Sequence, residues 1–224
     1  IAGKYGWAFV NVNMRPYYAE GSKSMAFEIA EQLNWQLPQH TVAPMASGSL
    51  LTKIHKGYQE LIKLGLAKDT KPVVHGAQAT GCSPISAAFK DGKDFFNPVK
   101  PDTIAKSLAI GTPADGFYAL KVMKETGGAS DDVSDEEIRD AIKALAECEG
   151  IFTETAGGVT VGTTKKLVAS GKIPAEDSVV LCVTGNGLKT LDAVQGQVGE
   201  PAEIKPSLRE FEELIESDLK VKTK

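Results

Sequence analysis

The chain has 224 residues, enough for one large domain or one and a half small ones, with 42% of them apolar, 24% charged and a net charge of −4, the proportions of a soluble globular protein. Its charge is spread without a basic stripe, which argues against a nucleic-acid partner, and no apolar run approaches membrane-spanning length. Three widely spaced cysteines, Cys82, Cys148 and Cys182, do not cluster with the histidines, which argues against a zinc site and a disulfide framework and fits a reducing, cytoplasmic setting.

The first residues, Ile1-Ala2-Gly3-Lys4, do not read as a signal peptide, and the lack of an initiator methionine suggests processing or truncation. Residues 8–13 alternate apolar and polar side chains and predict a strand, after which Pro16 breaks the pattern. A helix is predicted over 22–34 from Met25, Ile29 and Leu33 at four-residue intervals, with Lys23 in its first turn. The connector 35–39 contains Pro38 and marks the expected boundary between a smaller piece, 1–37, and a larger domain, 38–224. Within the larger part the pattern predicts a strand at 41–45 and a helix at 50–64 with Leu50, Ile54, Tyr58, Leu61 and Ile62 on one face. A short strand follows at 72–75, then helices at 103–108 and 114–126 and a loop at 127–132. Ser134 and Glu137 have capping-box spacing and open a helix to about 148, which Gly150 ends. A strand at 151–153, a helix at 159–169 closed by Gly171, and an apolar strand at 178–184 complete the alternation. Ser207 and Glu210 form a second capping box before an amphipathic terminal helix running to about 219. Alternating strands and helices imply a three-layer α/β fold with a parallel sheet covered on both faces.

In such sheets ligands bind where strands end and helices begin. At one junction an apolar strand runs into Ala46-Ser47-Gly48-Ser49-Leu50, where small residues and a helix N-terminus suit an anion. The spacing is not that of a Walker loop, and an ordinary Ser/Gly helix cap is the competing reading. At another junction the strand ends in Thr184 followed by Gly185-Asn186-Gly187, which places a hydroxyl at the carboxyl edge of the sheet or simply makes a turn. Glu154 reads as a helix N-terminal acid or as a group near the same site. His55 and His75 read as structural, and Cys182 as core.

Taken together these motifs resemble the threonine synthases, within the fold-type II, tryptophan synthase β-like enzymes that use pyridoxal phosphate. The segments that carry the resemblance are 9–13 with 16–23, 46–52, 76–81, 103–105 with 110–111, 150–159 and 183–189. The resemblance implies a large cofactor-binding domain plus a remnant of the small domain. It implies that Ala46, Ser47, Gly48, Ser49 and Leu50 bind the cofactor 5′-phosphate through backbone amides, and that Thr184 faces the pyridine nitrogen. Relatives often carry Gly-Asn-Ala-Gly-Asn where this chain has Ala46 to Leu50, so asparagine side-chain contacts are not expected. The implied activity is that of a carbon–oxygen lyase acting on phosphates, converting O-phospho-L-homoserine and water to L-threonine and phosphate in a cytoplasmic homodimer. Asn13 and Arg15 are the candidates for the substrate phosphate, and no metal is implied. The Schiff-base lysine of the family lies in an upstream motif that this chain lacks; Lys23 does not correspond to it, so no catalytic residue is assigned and the chain alone is expected to be inactive. A related dehydratase and a non-catalytic module of the same fold are the alternatives.

Overall fold

The computed structural model describes residues 1–8, 16–199 and 202–217. Residues 1–193 form one compact unit and 194–224 a second. In the first unit four strands make one parallel sheet: β1 (His40–Pro44), β2 (Val73–Ala79), β3 (Ser130–Val133) and β4 (Val179–Leu181). Their order is β3-β2-β1-β4. His40 stands opposite Val73 on one side and Val179 on the other, and Gly76 opposite Ser130. The helices of this unit are α1 (Ala2–Tyr5), α2 (Pro16–Gly21), α3 (Ser24–Gln32), α4 (Ser49–Lys63), α5 (Pro84–Lys90), α6 (Gly116–Thr126), α7 (Asp135–Glu149) and α8 (Thr155–Ala169).

One face of the sheet holds the main core. Ala43 and Met45 at the end of β1 and Val74 of β2 pack with Leu51, Ile54, Tyr58 and Leu61 of α4, Ala26 and Ala30 of α3, and Leu120 and Met123 of α6. The predicted face of α4 is nearly right: Leu51 is fully buried, whereas Leu50 and Ile62 pack at the margin. On the other face lies α8, whose residues 155–164 are all buried between the sheet and α7. A helix buried all round has no polar stripe, which is why its amphipathic pattern is weak. It begins at Thr155 rather than 159, because Ala156-Gly157-Gly158 is a site of close helix packing and not a loop: a Cβ on Gly158 would lie 2.8 Å from the Ile138 carbonyl oxygen of α7.

Other expectations are corrected by side-chain chemistry. The 103–108 segment is not an α-helix; only a 3₁₀ turn, Lys106–Leu108, forms. The Thr103 hydroxyl donates to Asp135 Oδ1 and accepts from the Ala105 amide, a local bond that competes with helix. The expected loop at 127–132 contains β3, whose Ser-Asp-Asp-Val sequence hides a strand that its partners define: Ser130 Oγ donates to the Gly76 carbonyl, and Lys90 pairs with Asp131 and Asp132. The strand at 72–75 starts at Val73 and runs on to Ala79, because Gly76, Ala77, Gln78 and Ala79 pair with β3. Residues 151–153 make no strand, only a single bridge from Thr153 to Asn186, and of 178–184 only Val179–Leu181 joins the sheet. Helix α5 follows Ser83 with Pro84 in its first turn, a start signal that the sequence reading passed over. The Ser134–Glu137 capping box forms with both of its hydrogen bonds, and Gly150 closes α7 in the left-handed region. Residues 8–13 fall largely outside the described residues.

In the second unit, α9 (Leu208–Ser217) starts after Ser207, whose hydroxyl accepts from the Glu210 amide. The Glu210 carboxylate accepts from the Lys205 amide instead of closing the box. No helix among the described residues is long and apolar enough to cross a membrane.

At the amino edge of the sheet His40 and His75 form a proton-ordered chain. The Ala129 amide donates to His75 Nδ1 (3.0 Å), which places the ring proton of a neutral His75 on Nε2. That proton points at His40 Nδ1 (2.9 Å), and His40 Nε2 donates to Asp177 Oδ2 (3.0 Å). Burial, with His40 beside it, pushes His75 down to about 4. An unfolded histidine titrates near 6.5, so between those values the unfolded chain binds a proton that the native one refuses. The stabilisation is therefore complete above about pH 6.5 and is lost as pH falls toward 4. Urea unfolding at two pH values is expected to show this one group costing about 2 kcal/mol between roughly pH 7.5 and 5, a slope that His75→Gln removes.

Candidate functional site

The chain folds β1, β2 and β3 in succession toward one edge and then places β4 on the other side of β1. The carboxyl ends of β1 and β4 therefore flank the point where the winding direction reverses, which is where open α/β sheets bind ligands. A cleft of about 210 Å³ lies there. Its floor is the turn from β1 into α4: Ala46, Ser47, Gly48, Ser49 and Leu50 all line it. The turn is held from behind, where the Asp115 amide donates to the Ser47 carbonyl. Gly48 caps α4 with φ 93° and ψ −5°, in the left-handed region. Among the described residues, no acceptor meets the amides of Ala46, Ser47, Gly48 or Leu50, and the Ser49 amide makes only a 3.3 Å bond to Ser47 Oγ. Unpaired amides at a helix N-terminus carry partial positive charge and form an anion cradle.

The opposite wall comes from β4 and from the start of α8. Thr184, Glu154 and Ala156 line it, with Ser107 and Leu108 from the 3₁₀ turn. Segments 152–154 and 185–187 are tied together: the Glu154 amide donates to the Gly185 carbonyl (3.0 Å), the Gly187 amide to the Phe152 carbonyl (3.0 Å), and Thr153 Oγ1 to the Gly185 carbonyl (3.1 Å). Glu154, only 2% exposed, accepts from the Thr184 hydroxyl (3.3 Å) and pairs with Lys189 Nζ (2.8 Å). Pro44, Leu50, Leu108 and Ala156 supply apolar surface between the two walls. The residues fit a phosphorylated aromatic cofactor: free amides for an anion at one end, a hydroxyl at the other, and apolar walls between.

The six residues singled out at the two junctions, Ala46 to Leu50 and Thr184, thus share one cleft. Asn13 and Arg15 lie outside the described residues. Lys23 is not among the cleft residues; Glu20 Oε2 (2.7 Å) and Glu60 Oε2 (2.8 Å) pair with it and raise its pKa. Burial pushes Cys182 up to about 12, which leaves it an unreactive core thiol. Ser107 and Leu108 are not among the residues predicted for the cleft: the 103–108 segment reads as a helix, and nothing in its local pattern aims it at the two strand ends.

A parallel sheet with an anion cradle at its switch point defines an α/β protein built to hold an anionic ligand. The family model for pyridoxal-phosphate dependent enzymes matches residues 1–185, and the chain belongs to that family. Among curated proteins it is 37% identical over 204 residues to threonine synthases of Methanocaldococcus jannaschii and Methanosarcina acetivorans, covering 91% of this chain and 50% of each of them. The chain thus spans about half the length of these relatives. Among solved structures it is similar in fold to a processed threonine deaminase isoform 2 from Solanum lycopersicum, with TM-score 0.67 and 16% identity over 89% of this chain and 55% of that one. An L-serine ammonia-lyase from Rhizomucor miehei gives TM-score 0.64 at 24% identity, over 81% and 57%. These likenesses establish the fold-type II architecture.

Proposed function

We propose that this chain supplies the cofactor-cradling half of a threonine synthase, which converts O-phospho-L-homoserine and water to L-threonine and phosphate. The observation that carries the reading is the 37% identity with threonine synthases along 91% of the chain, together with a cleft whose donors suit pyridoxal phosphate. The cofactor supplies an electron sink for bond-breaking at amino-acid carbons. The amides of Ala46 to Leu50 hold its 5′-phosphate, with the N-terminal charge of α4 behind them. Thr184 sets the ring nitrogen. Pro44, Leu108 and Ala156 keep water from the ring faces, which strengthens each polar contact. Asn13 and Arg15 hold the substrate phosphate, for which the arginine fork is suited. Residues 1–37 end the small domain and 38–224 form the large one. The anchoring lysine comes from an upstream part of a longer polypeptide, which works as a cytoplasmic homodimer; the present chain alone is inactive.

The test is threonine and phosphate release from O-phosphohomoserine by the full-length polypeptide with pyridoxal phosphate, with this chain alone beside it. Both products from the full-length protein only are expected. A keto acid in place of threonine would retain the cofactor site and reject the substrate. Turnover by this chain alone would put the lysine within it, with Lys23 the first to replace.

A further inference from the structure

A peptide unit is planar and trans, so its carbonyl oxygen and its N–H point to opposite sides. Whatever holds the one therefore aims the other. The Met45–Ala46 peptide stands where β1 gives way to the cradle turn. Met45 is fully buried, whereas Ala46 opens on the cleft, and among the described residues its amide meets no acceptor. Behind the turn the Met45 carbonyl accepts from Nε2 of Gln78 (3.3 Å), a β2 side chain with no exposed surface. The other end of that side chain sets its orientation. Ser83 stands at the cap position of α5 but makes no side-chain cap bond. Gln78 Oε1 caps the helix instead, accepting from the amides of Ile85 and Ser86, both at 2.9 Å. An oxygen that meets two N–H donors leaves the amino group of the same side chain, which only donates, facing Met45. The Met45 amide is fixed as well, donating to the Ala77 carbonyl (2.8 Å). The device recurs further along the turn, where the Asp115 amide holds the Ser47 carbonyl (2.9 Å) and so aims the Gly48 amide.

We infer that Gln78 is a positioning residue for the cofactor phosphate: its hold on the Met45 carbonyl turns the Ala46 amide toward the cleft, so that this donor is aimed before the anion arrives. The inference rests on the placement of the 5′-phosphate on residues 46–50 in the proposed function. A donor aimed beforehand needs no reordering on binding, and that saving appears as affinity. Gln78 itself touches no ligand. It acts through one peptide plane, from the buried side of the sheet.

The experiment is cofactor titration and phosphorus-31 spectroscopy of pyridoxal phosphate bound to the full-length polypeptide, as wild type, Gln78→Met, Gln78→Glu and Ser86→Ala. Gln78→Met keeps the length of the side chain and loses the donor. Its cofactor dissociation constant is expected to rise about tenfold, the worth of one hydrogen bond, and the phosphorus resonance to move. Ser86→Ala breaks the buried hydroxyl pair with Ser130 (2.7 Å) on the α5 side and leaves Met45 alone. It is expected to lower the urea midpoint while affinity and resonance stay at their wild-type values. Gln78→Glu keeps an acceptor for α5 but, as a carboxylate, has no proton for Met45. It is expected to follow Gln78→Met, which keeps the test open should the latter not fold. Wild-type affinity and resonance in a folded Gln78 variant would overturn the inference and leave the cofactor site standing. An equal loss of affinity in Ser86→Ala would overturn it too, since Gln78 would then act through packing alone. Should neither Gln78 variant fold, a crystal structure of the wild type with cofactor decides: a Met45 carbonyl turned away from Gln78 while the phosphate is bound would overturn the inference. Failure of the wild type to take up cofactor would overturn the functional reading and the inference with it.

Discussion

Gly48→Ala is expected to lower stability by about 2–4 kcal/mol and pyridoxal phosphate affinity in the full-length polypeptide by about tenfold or more. Gly48 has φ 93°, a conformation that L-residues resist. A Cβ there would also lie 3.0 Å from both Ala119 Cβ and the Asp115 carbonyl oxygen, so the new side chain cannot be housed without moving the start of α6 or the turn itself. Movement of the turn re-aims the amides of Ala46 to Leu50, whose value for an anion depends on their convergence. Cofactor titration and urea unfolding read the two effects separately. Lost stability with undiminished affinity would place the cofactor phosphate somewhere other than this turn.

Ile54→Ala is expected to cost about 3–4 kcal/mol, the cost of a cavity in a core that cannot collapse around it. Ile54 is fully buried in the centre of α4, in one cluster with Leu51, Tyr58, Met45 and Leu120. The same helix presents the cradle amides, so its seating on the sheet is also the seating of the site. Leu64, just past the end of α4 and 72% exposed, is the control, and its alanine variant is expected to stay within about 0.5 kcal/mol of the wild type. Chemical unfolding of the two variants checks the contrast; equal losses would mean that α4 is not anchored as described.

The helices were legible where their sequences carry a stripe and a cap. α4 announces itself by Ile54, Tyr58 and Leu61, and α7 by Ser134 and Glu137. α8 was half hidden because its first residues are small and its packing is all-round. β3 was hidden because two of its four residues are aspartates, whose place in a strand depends on Lys90, a partner about 40 residues away. The 103–108 segment misled because the hydroxyl of Thr103 competes with the helix it was expected to start. The candidate site was legible in parts: the small residues at 46–50 and Thr184 at a strand end carry local signals. That they meet in one cleft follows from strand order, with β4 beside β1, which no local pattern encodes. The Glu154–Thr184 bond is likewise a product of long-range register, and a helix N-terminal acid is all that the sequence around Glu154 suggests by itself.

The central claim is that the cleft between β1 and β4 holds pyridoxal phosphate. The most direct measurement is a crystal structure of the full-length polypeptide with the cofactor bound. The account predicts the 5′-phosphate within hydrogen-bond distance of the amides of residues 46–50, and the ring nitrogen at Thr184 Oγ1. A cofactor phosphate bound by other residues, with the 46–50 amides facing solvent, would contradict it.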